Sequence, residues 1–243
     1  MRPEQDAYGQ EVYDYFHGQK AIEIIERSDG MIDVSSGPAA YFAPFAEWPP
    51  SERQASQHAH GRVLDVGCGP GRVCLHLQEK GHVVVGIDNS PLAIKTATLR
   101  GVREARILPV TQLSRKTLGV FDTIVMFGNN FGLFGNPRRA KWLLRRFYGM
   151  TSSNGLILAE SLDIYDTEEP DHLAYQAWNR QHGRMSGQIR LRVRYKRLVG
   201  EWFDYLMVSR PEMETILQDT GWQIQHVFQE AGSANYVAII AKA

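Results

Sequence analysis

The ten residues Val63-Leu64-Asp65-Val66-Gly67-Cys68-Gly69-Pro70-Gly71-Arg72 carry the spacing best suited to chemistry. An apolar stretch reads as a buried strand, and it feeds a glycine turn and then a helix. Glycine lets the backbone approach a ligand where a Cβ would collide. A helix that begins there offers unpaired N–H groups at its first turn. The spacing fits neither of two familiar phosphate cradles. A dinucleotide turn needs glycine where Arg72 stands, for close helix–strand contact. The Gly-Lys-Ser/Thr ending of a phosphate-binding loop is absent. Seventeen residues after Gly71, a second apolar run, Val84-Val85-Gly86-Ile87, ends in Asp88. An acid at a strand end can accept both hydroxyls of a ribose. It can instead cap the helix that opens at Ser90-Pro91. Cys68 occupies a position in the turn that calls for a small residue, and is not read as a nucleophile.

Together, Asp65-x-Gly67-x-Gly69-x-Gly71 and Asp88 resemble the first two motifs of the class I S-adenosylmethionine-dependent methyltransferases. The resemblance implies that the glycine turn, Cys68 included, lies against the methionine part of the cofactor. It implies that Asp65 helps hold the cofactor's ammonium group, directly or through water, and that Asp88 takes the ribose. A carboxylate suits a cationic amine and a sulfonium. Asn89 stands where the family often has an apolar residue beside adenine. The family's third motif often supplies an acid to the adenine amino group. Here the run Ile107-Leu108-Pro109-Val110-Thr111-Gln112-Leu113 has none, which leaves Thr111, Gln112 or backbone groups for that contact. Ligands of open α/β sheets sit beyond the carboxyl ends of strands. The loop Gly128-Asn129-Asn130 after a fourth strand is therefore expected to face the methyl group, with Gly128 and Asn129 on the cofactor and Asn130 on the substrate. It lacks the Asn/Asp-Pro-Pro-aromatic motif of amino-methylating nucleic-acid enzymes. The resemblance covers 61–161 and 209–243 and says almost nothing about the acceptor.

The elements that must hold these residues alternate strand and helix from Arg62 onward, the mark of a parallel α/β sheet. Strands are expected at 63–66, 82–87, 105–110, 121–127 and 155–161. Helices are expected at 73–80, from the Ser90 cap with Pro91 at its first position, and at 137–150. Then the order breaks. A helix at 170–182 precedes a hairpin of 189–198 and 201–208 turning at Val199-Gly200. Ser209 and Glu212 form a capping box for a helix ending at Gly221, and strands at 223–228 and 235–241 complete the core. The expected fold is an α/β, Rossmann-like, doubly wound and mostly parallel seven-stranded sheet with helices on both faces. The methyltransferase core takes 61–161 and 209–243. Residues 1–60 form an N-terminal cap, with a helix in 1–18 and, in 21–34, either a helix or a hairpin. The Asp29-Gly30 turn favours the hairpin. Residues 162–208 form a cap insertion.

The caps are rich in aromatic residues, which exclude water and suit a small apolar or cationic acceptor. Tyr41 and Trp202 are singled out there as substrate contacts. Acids cluster at Glu160, Asp163, Asp166, Glu168, Glu169 and Asp171, and the stretch 172–200 holds only bases. In the strand at 189–196, Arg190, Arg192, Arg194 and Lys196 alternate with apolar residues, giving one cationic face. Such a face is an anion site or, preferably, a solvated face neutralised by the preceding acids. Arg138, Arg139, Lys141, Arg145 and Arg146 read as solvent-facing.

The 243 residues contain 27 Lys and Arg against 27 Asp and Glu, a zero net charge that argues against a general nucleic-acid binder. Hydrophobic residues are 43%, which excludes wholesale disorder. Two cysteines make neither a disulfide framework nor a four-ligand zinc site, and no metal is expected. No apolar run approaches a membrane span, and the first residues lack a signal peptide's apolar core. A cytoplasmic monomer or homodimer follows. The chemistry expected is in-line methyl transfer to a small-molecule acceptor. No histidine has a nameable partner, so no catalytic base is assigned. An RNA or protein methyltransferase using the basic hairpin, or a non-catalytic cofactor-binding module, are the alternatives.

Overall fold

The computed structural model describes residues 2–35 and 37–243. Helix α1 (Ala7–Phe16) precedes strands β1 (Ile24–Arg27) and β2 (Ile32–Val34), and α2 (Pro50–Ser56) leads into β3 (Arg62–Val66). Then come α3 (Arg72–Glu79), β4 (Val83–Asp88), α4 (Pro91–Leu99), β5 (Ala105–Ile107), α5 (Arg115–Leu118), β6 (Phe121–Met126), α6 (Pro137–Met150) and β7 (Thr151–Leu162). The remainder is α7 (Pro170–Gln181), β8 (Gln188–Tyr195), β9 (Leu198–Val199), β10 (Phe203–Leu206), α8 (Arg210–Leu217), β11 (Trp222–Gln229) and β12 (Asn235–Lys242).

Seven strands make one sheet in the order β11-β12-β7-β6-β3-β4-β5. The pairs β3–β4, β4–β5 and β6–β7 are parallel, and β12 runs antiparallel to both β7 and β11. This is the mostly parallel seven-stranded sheet that the sequence predicts. A second sheet has the order β10-β8-β1-β2, with β9 also on β8. The chain divides into two compact units. One comprises the described residues of Met1–Trp48 with Gly61–Leu113 and Leu191–Phe203. The other comprises Pro49–His60, Ser114–Arg190 and Asp204–Ala243.

In the first unit, Val63, Leu64, Val66, Val84, Val85 and Ile87 are all buried, as parallel strands covered on both faces require. β5 is shorter than expected because Pro109 offers no N–H to continue a ladder, and the chain enters a 3-10 turn at Val110–Gln112. Asp6 serves two helices. Its carboxylate accepts from Gly9 N at the start of α1, and from Ser90 Oγ and Leu92 N at the start of α4. The 21–34 segment is a hairpin, with Gly30 at φ +93° in its turn. The free edge of β1 pairs antiparallel with Leu191–Arg194 of β8, so strands expected in separate caps share a sheet.

The second hairpin turns earlier than expected. Arg194 pairs with Val199 and Tyr195 with Leu198, which places the turn at Lys196-Arg197 rather than Val199-Gly200. Lys196 adopts φ +52° there, and Asp14 Oδ2 holds its Nζ at 2.6 Å. The cationic face is neutralised, but not by the acids at 160–171. Glu26 takes Arg192 through two bonds and Arg194 through one, and Arg192 also lies over the Trp202 ring.

In the second unit, Asn136 caps α6 and Pro137 opens it. Ala140, Leu143, Leu144, Phe147 and Met150 form its buried stripe at the i, i+3, i+4 spacing of an amphipathic helix. Arg138, Arg145 and Arg146 are exposed, as expected. Arg139 is not: it donates to the carbonyls of Phe134, Leu133 and Asp204 and closes the turn before α6. Arg190 pairs with Asp204. Glu212 accepts from Ser209 N, the expected start of α8. Among the described residues, no helix is long and apolar enough to cross a membrane.

Candidate functional site

The glycine turn of the first unit is built as a strand end folded over its neighbour. Gly67 N and Cys68 N both donate to Ile87 O on β4. The chain then turns through Gly69 at φ +51° and Gly71 at φ +84°, a backbone region that L side chains avoid. A Cβ at Gly71 would meet Val102 at 2.4 Å, and one at Gly69 would meet the Tyr8 hydroxyl at 2.5 Å. The first glycine lets α3 pack, and the second leaves bare backbone facing a tyrosine hydroxyl.

Asp88 closes this turn from the next strand. Its Oδ2 accepts from Gly69 N at 3.0 Å and its Oδ1 from Ser90 N at 2.9 Å. It thus links loop and helix start. Backbone donors, with Asn89 a third, aim the carboxylate, and its remaining acceptor capacity fits a vicinal diol such as ribose. Asp88 is 8% exposed, and burial raises its pKa to about 6 against the pull of the backbone donors. It is therefore ionised at neutral pH.

Asp65 is 2% exposed and accepts from the Cys74 thiol at 3.2 Å. Burial raises its pKa to about 7, partly offset by that thiol and by Arg72. A buried carboxyl with so little support is poised for a cationic partner, which fits the ammonium group of an amino-acid-like cofactor. Cys68 and Cys74 are free thiols. The Cys74 hydrogen bond lowers the Cys68 pKa, yet burial and the two aspartates leave it raised, so Cys68 is a thiol rather than a thiolate.

The other expected residues of this unit divide into two groups. Asn89, Thr111 and Gln112 are exposed beside β4 and β5. Tyr41 is drawn to the glycine turn, since Arg100 Nη1 donates to both Pro70 O and Tyr41 O. Its ring meets Tyr8 edge-on at 5.6 Å. Trp202 instead stacks with Arg192 in the cap sheet. Sequence reasoning missed Glu11, whose signal was an acid on the buried face of α1, and Glu23, just before β1.

The second unit holds Gly128, Asn129 and Asn130 at the end of β6. Gly128 and Asn129 adopt φ +69° and +60°. Glu160, near the end of β7, accepts from both of their N–H groups, and Asn235 Nδ2 donates to its other oxygen. The Tyr205 hydroxyl donates to Asn129 O. Asn129 Oδ1 is buried without a partner among the described residues, and Asn130 opens a 3-10 turn. Glu160 is 2% exposed, and its pKa rises to about 8 through burial and then through Glu52, whose carboxyl adjoins it. Neither Glu160 nor Tyr205 figures among the expected site residues, because each acts on the loop from far along the chain.

Comparison with known proteins agrees with this chemistry. A family model described as a methyltransferase domain matches residues 42–227. The whole chain superposes on a SAM-dependent methyltransferase from Bacteroides fragilis in complex with S-adenosyl-L-homocysteine. The TM-score is 0.84 and the identity 28%, over 100% of this chain and 97% of that one. The CcbJ methyltransferase from Streptomyces caelestis shares the fold over 100% of both chains, with a TM-score of 0.64 and 13% identity. A glycine/sarcosine N-methyltransferase from Parasynechococcus marenigrum (strain WH8102) is 27% identical over 152 residues, 60% of this chain and 52% of that protein. The chain spans about half the length of the curated relatives it matches. On the glycine turn, the strand-end aspartate and this match across most of its length, the chain belongs to the class I S-adenosylmethionine-dependent methyltransferases.

Proposed function

We propose that the protein transfers a methyl group from S-adenosylmethionine to a small-molecule acceptor by in-line displacement, with S-adenosylhomocysteine as product. The observation that carries this reading is Asp88, a strand-end carboxylate aimed by Gly69 N and Ser90 N at the mouth of the glycine turn. The sulfonium supplies an already activated methyl and a neutral leaving group. The chain's own task is alignment. Asp88 takes the ribose hydroxyls, Asp65 the ammonium group, and the bare turn at 67–71 the methionine backbone. Asn89, Thr111 and Gln112 are assigned to the adenine end, and Gly128 and Asn129 to the cofactor, on their sequence positions. Alignment of this kind lowers barriers by several kcal/mol, about 7–11 at the extreme.

A small acceptor is supported by the relatives' names, glycine/sarcosine N-methyltransferase and ubiquinone biosynthesis O-methyltransferase among them. It is also supported by the pairing of Arg190, Arg192, Arg194 and Lys196 with acids, which removes the cationic face an RNA would seek. The test is calorimetry with S-adenosylmethionine and S-adenosylhomocysteine, with NADH as control. Micromolar binding of both adenosyl ligands and none of NADH is expected, followed by labelled-methyl transfer to candidate acceptors. A folded sample that binds neither adenosyl ligand overturns the proposal.

A further inference from the structure

Beside the glycine turn, within the first unit, lies a group the cofactor reading does not use. Glu11 on α1 is fully buried, and neither of its carboxyl oxygens has a hydrogen-bond partner among the described residues. A buried charge without a partner carries a heavy desolvation cost, and an apolar residue of similar size would be more stable there. Its electrostatic neighbour is a second buried acid, Glu23. Glu23 accepts from Ser35 Oγ at 2.8 Å and from the Tyr41 hydroxyl at 3.1 Å. Tyr41 meets Tyr8 edge-on, and Tyr8 shares a helix face with Glu11, three residues apart. Both tyrosines are partly exposed, whereas both acids are buried. The Tyr8 hydroxyl adjoins the backbone of Gly69 in the cofactor turn.

Two buried carboxyls within electrostatic reach of one another, with no cation among their described partners and two half-buried aromatic rings beside them, present what an organic cation requires. The charge of an ammonium is met by carboxylates, and its C–H or N–H surface by π faces. We infer that Glu11, Glu23, Tyr8 and Tyr41 form a binding site for the cationic amino group of the methyl acceptor. The inference rests on the methyl-transfer reading for the word acceptor, and on the orphaned Glu11 carboxyl for the chemistry. It deepens that reading by naming an amine as the substrate class.

The test uses the full chain and calorimetry. S-adenosylhomocysteine is titrated first. Benzylamine and ethanolamine are then titrated into the loaded protein, each against its neutral counterpart, benzyl alcohol and ethylene glycol. The amines are expected to bind at least about tenfold more tightly than the alcohols. Glu11→Gln keeps size and shape, and should weaken amine binding about thirtyfold, as loss of one partner from a buried charge pair does. Its S-adenosylhomocysteine affinity should not change. Glu23→Gln should act in the same direction, and keeps the test open if Glu11→Gln does not fold. Equal binding of amine and alcohol, no amine binding, or full amine binding in both variants overturns the site. Loss of S-adenosylhomocysteine binding in the unmutated protein overturns the methyltransferase reading instead, whatever the amines do.

Discussion

The strand-end turns of the two units use the same device for different ends. In the first unit, Asp88 reaches from β4 to the Gly69 N–H of the preceding strand's turn. In the second, Glu160 reaches from β7 to the Gly128 and Asn129 N–H groups of the β6 turn. Each turn has left-handed residues, and each is held by a carboxylate from the parallel neighbour. The difference is the company each acid keeps. Asp88 has backbone donors on both oxygens, and stays ionised at neutral pH with a pKa of about 6. Glu160 adjoins Glu52, and its pKa is pushed to about 8. Asp88, whose backbone donors offset burial and nearby Asp6, keeps its charge at neutral pH. An acid pressed against another acid gives up its charge and becomes a clamp on the backbone.

The largest effect expected is at the ligand-ready acid. Asp88→Ala should weaken S-adenosylmethionine binding about a hundredfold, the loss of two charge-assisted hydrogen bonds. Calorimetry on a variant shown to be folded by circular dichroism measures it, and unchanged affinity would break the comparison. Asp65→Asn keeps the shape and removes the charge, so cofactor affinity should fall about tenfold, the value of one charge-assisted bond. The same variant should stabilise the ligand-free protein near pH 8. The folded pKa of Asp65, about 7, lies above the ordinary aspartate value of 3.8, so its charge costs stability as pH rises across that interval. Removing the charge should raise Tm by about 3 °C. A thermal melt series from pH 4 to pH 8 reads the slope, and a slope the substitution leaves intact would assign the cost elsewhere.

The clamp gives a smaller effect, read in stability. The Glu160 pKa lies above the ordinary glutamate value of 4.5, so stability should decline as pH rises toward about 8. Glu52→Gln relieves the neighbour, and should raise Tm at pH 9 by about 2 °C while leaving cofactor affinity alone. A drop in affinity would show that the charge of Glu160 also tunes the Gly128–Asn129 turn that it holds beside the cofactor. Smallest of all, Arg192→Glu breaks a partly exposed pair with Glu26. It should lower Tm by no more than about 2 °C and leave cofactor binding unchanged. A large loss of binding would place the cap sheet in the cofactor site.

Much of the core was legible in the sequence because its signals are local. The glycine turn, the Ser90-Pro91 helix start, the Ser209 capping box and the Pro137–Met150 stripe are written in adjacent residues. The cap was less legible. β1 and β8 are separated by more than 150 residues, and nothing local announces that Ile24 pairs with Arg194. The turn at Lys196-Arg197 was missed for a related reason. Gly200 is the better local turn residue, but the pairing register and the Asp14 carboxylate hold Lys196 in the left-handed conformation.

What the sequence by itself determined is the cofactor chemistry. The resemblance that points to it is carried by Asp65, Gly67, Gly69, Gly71 and Asp88 through backbone conformation and strand-end position, and both follow from short-range spacing. Only the tertiary structure decided which acids are charged, which are paired and which are orphaned. Glu160 meets Glu52 across 108 positions of chain, Glu26 rather than the 160–171 cluster neutralises Arg192 and Arg194, and Glu11 is buried with no partner among the described residues. The ionisation of a carboxyl depends on burial and on neighbours within a few ångströms, and long-range folding, not local sequence, chooses those neighbours.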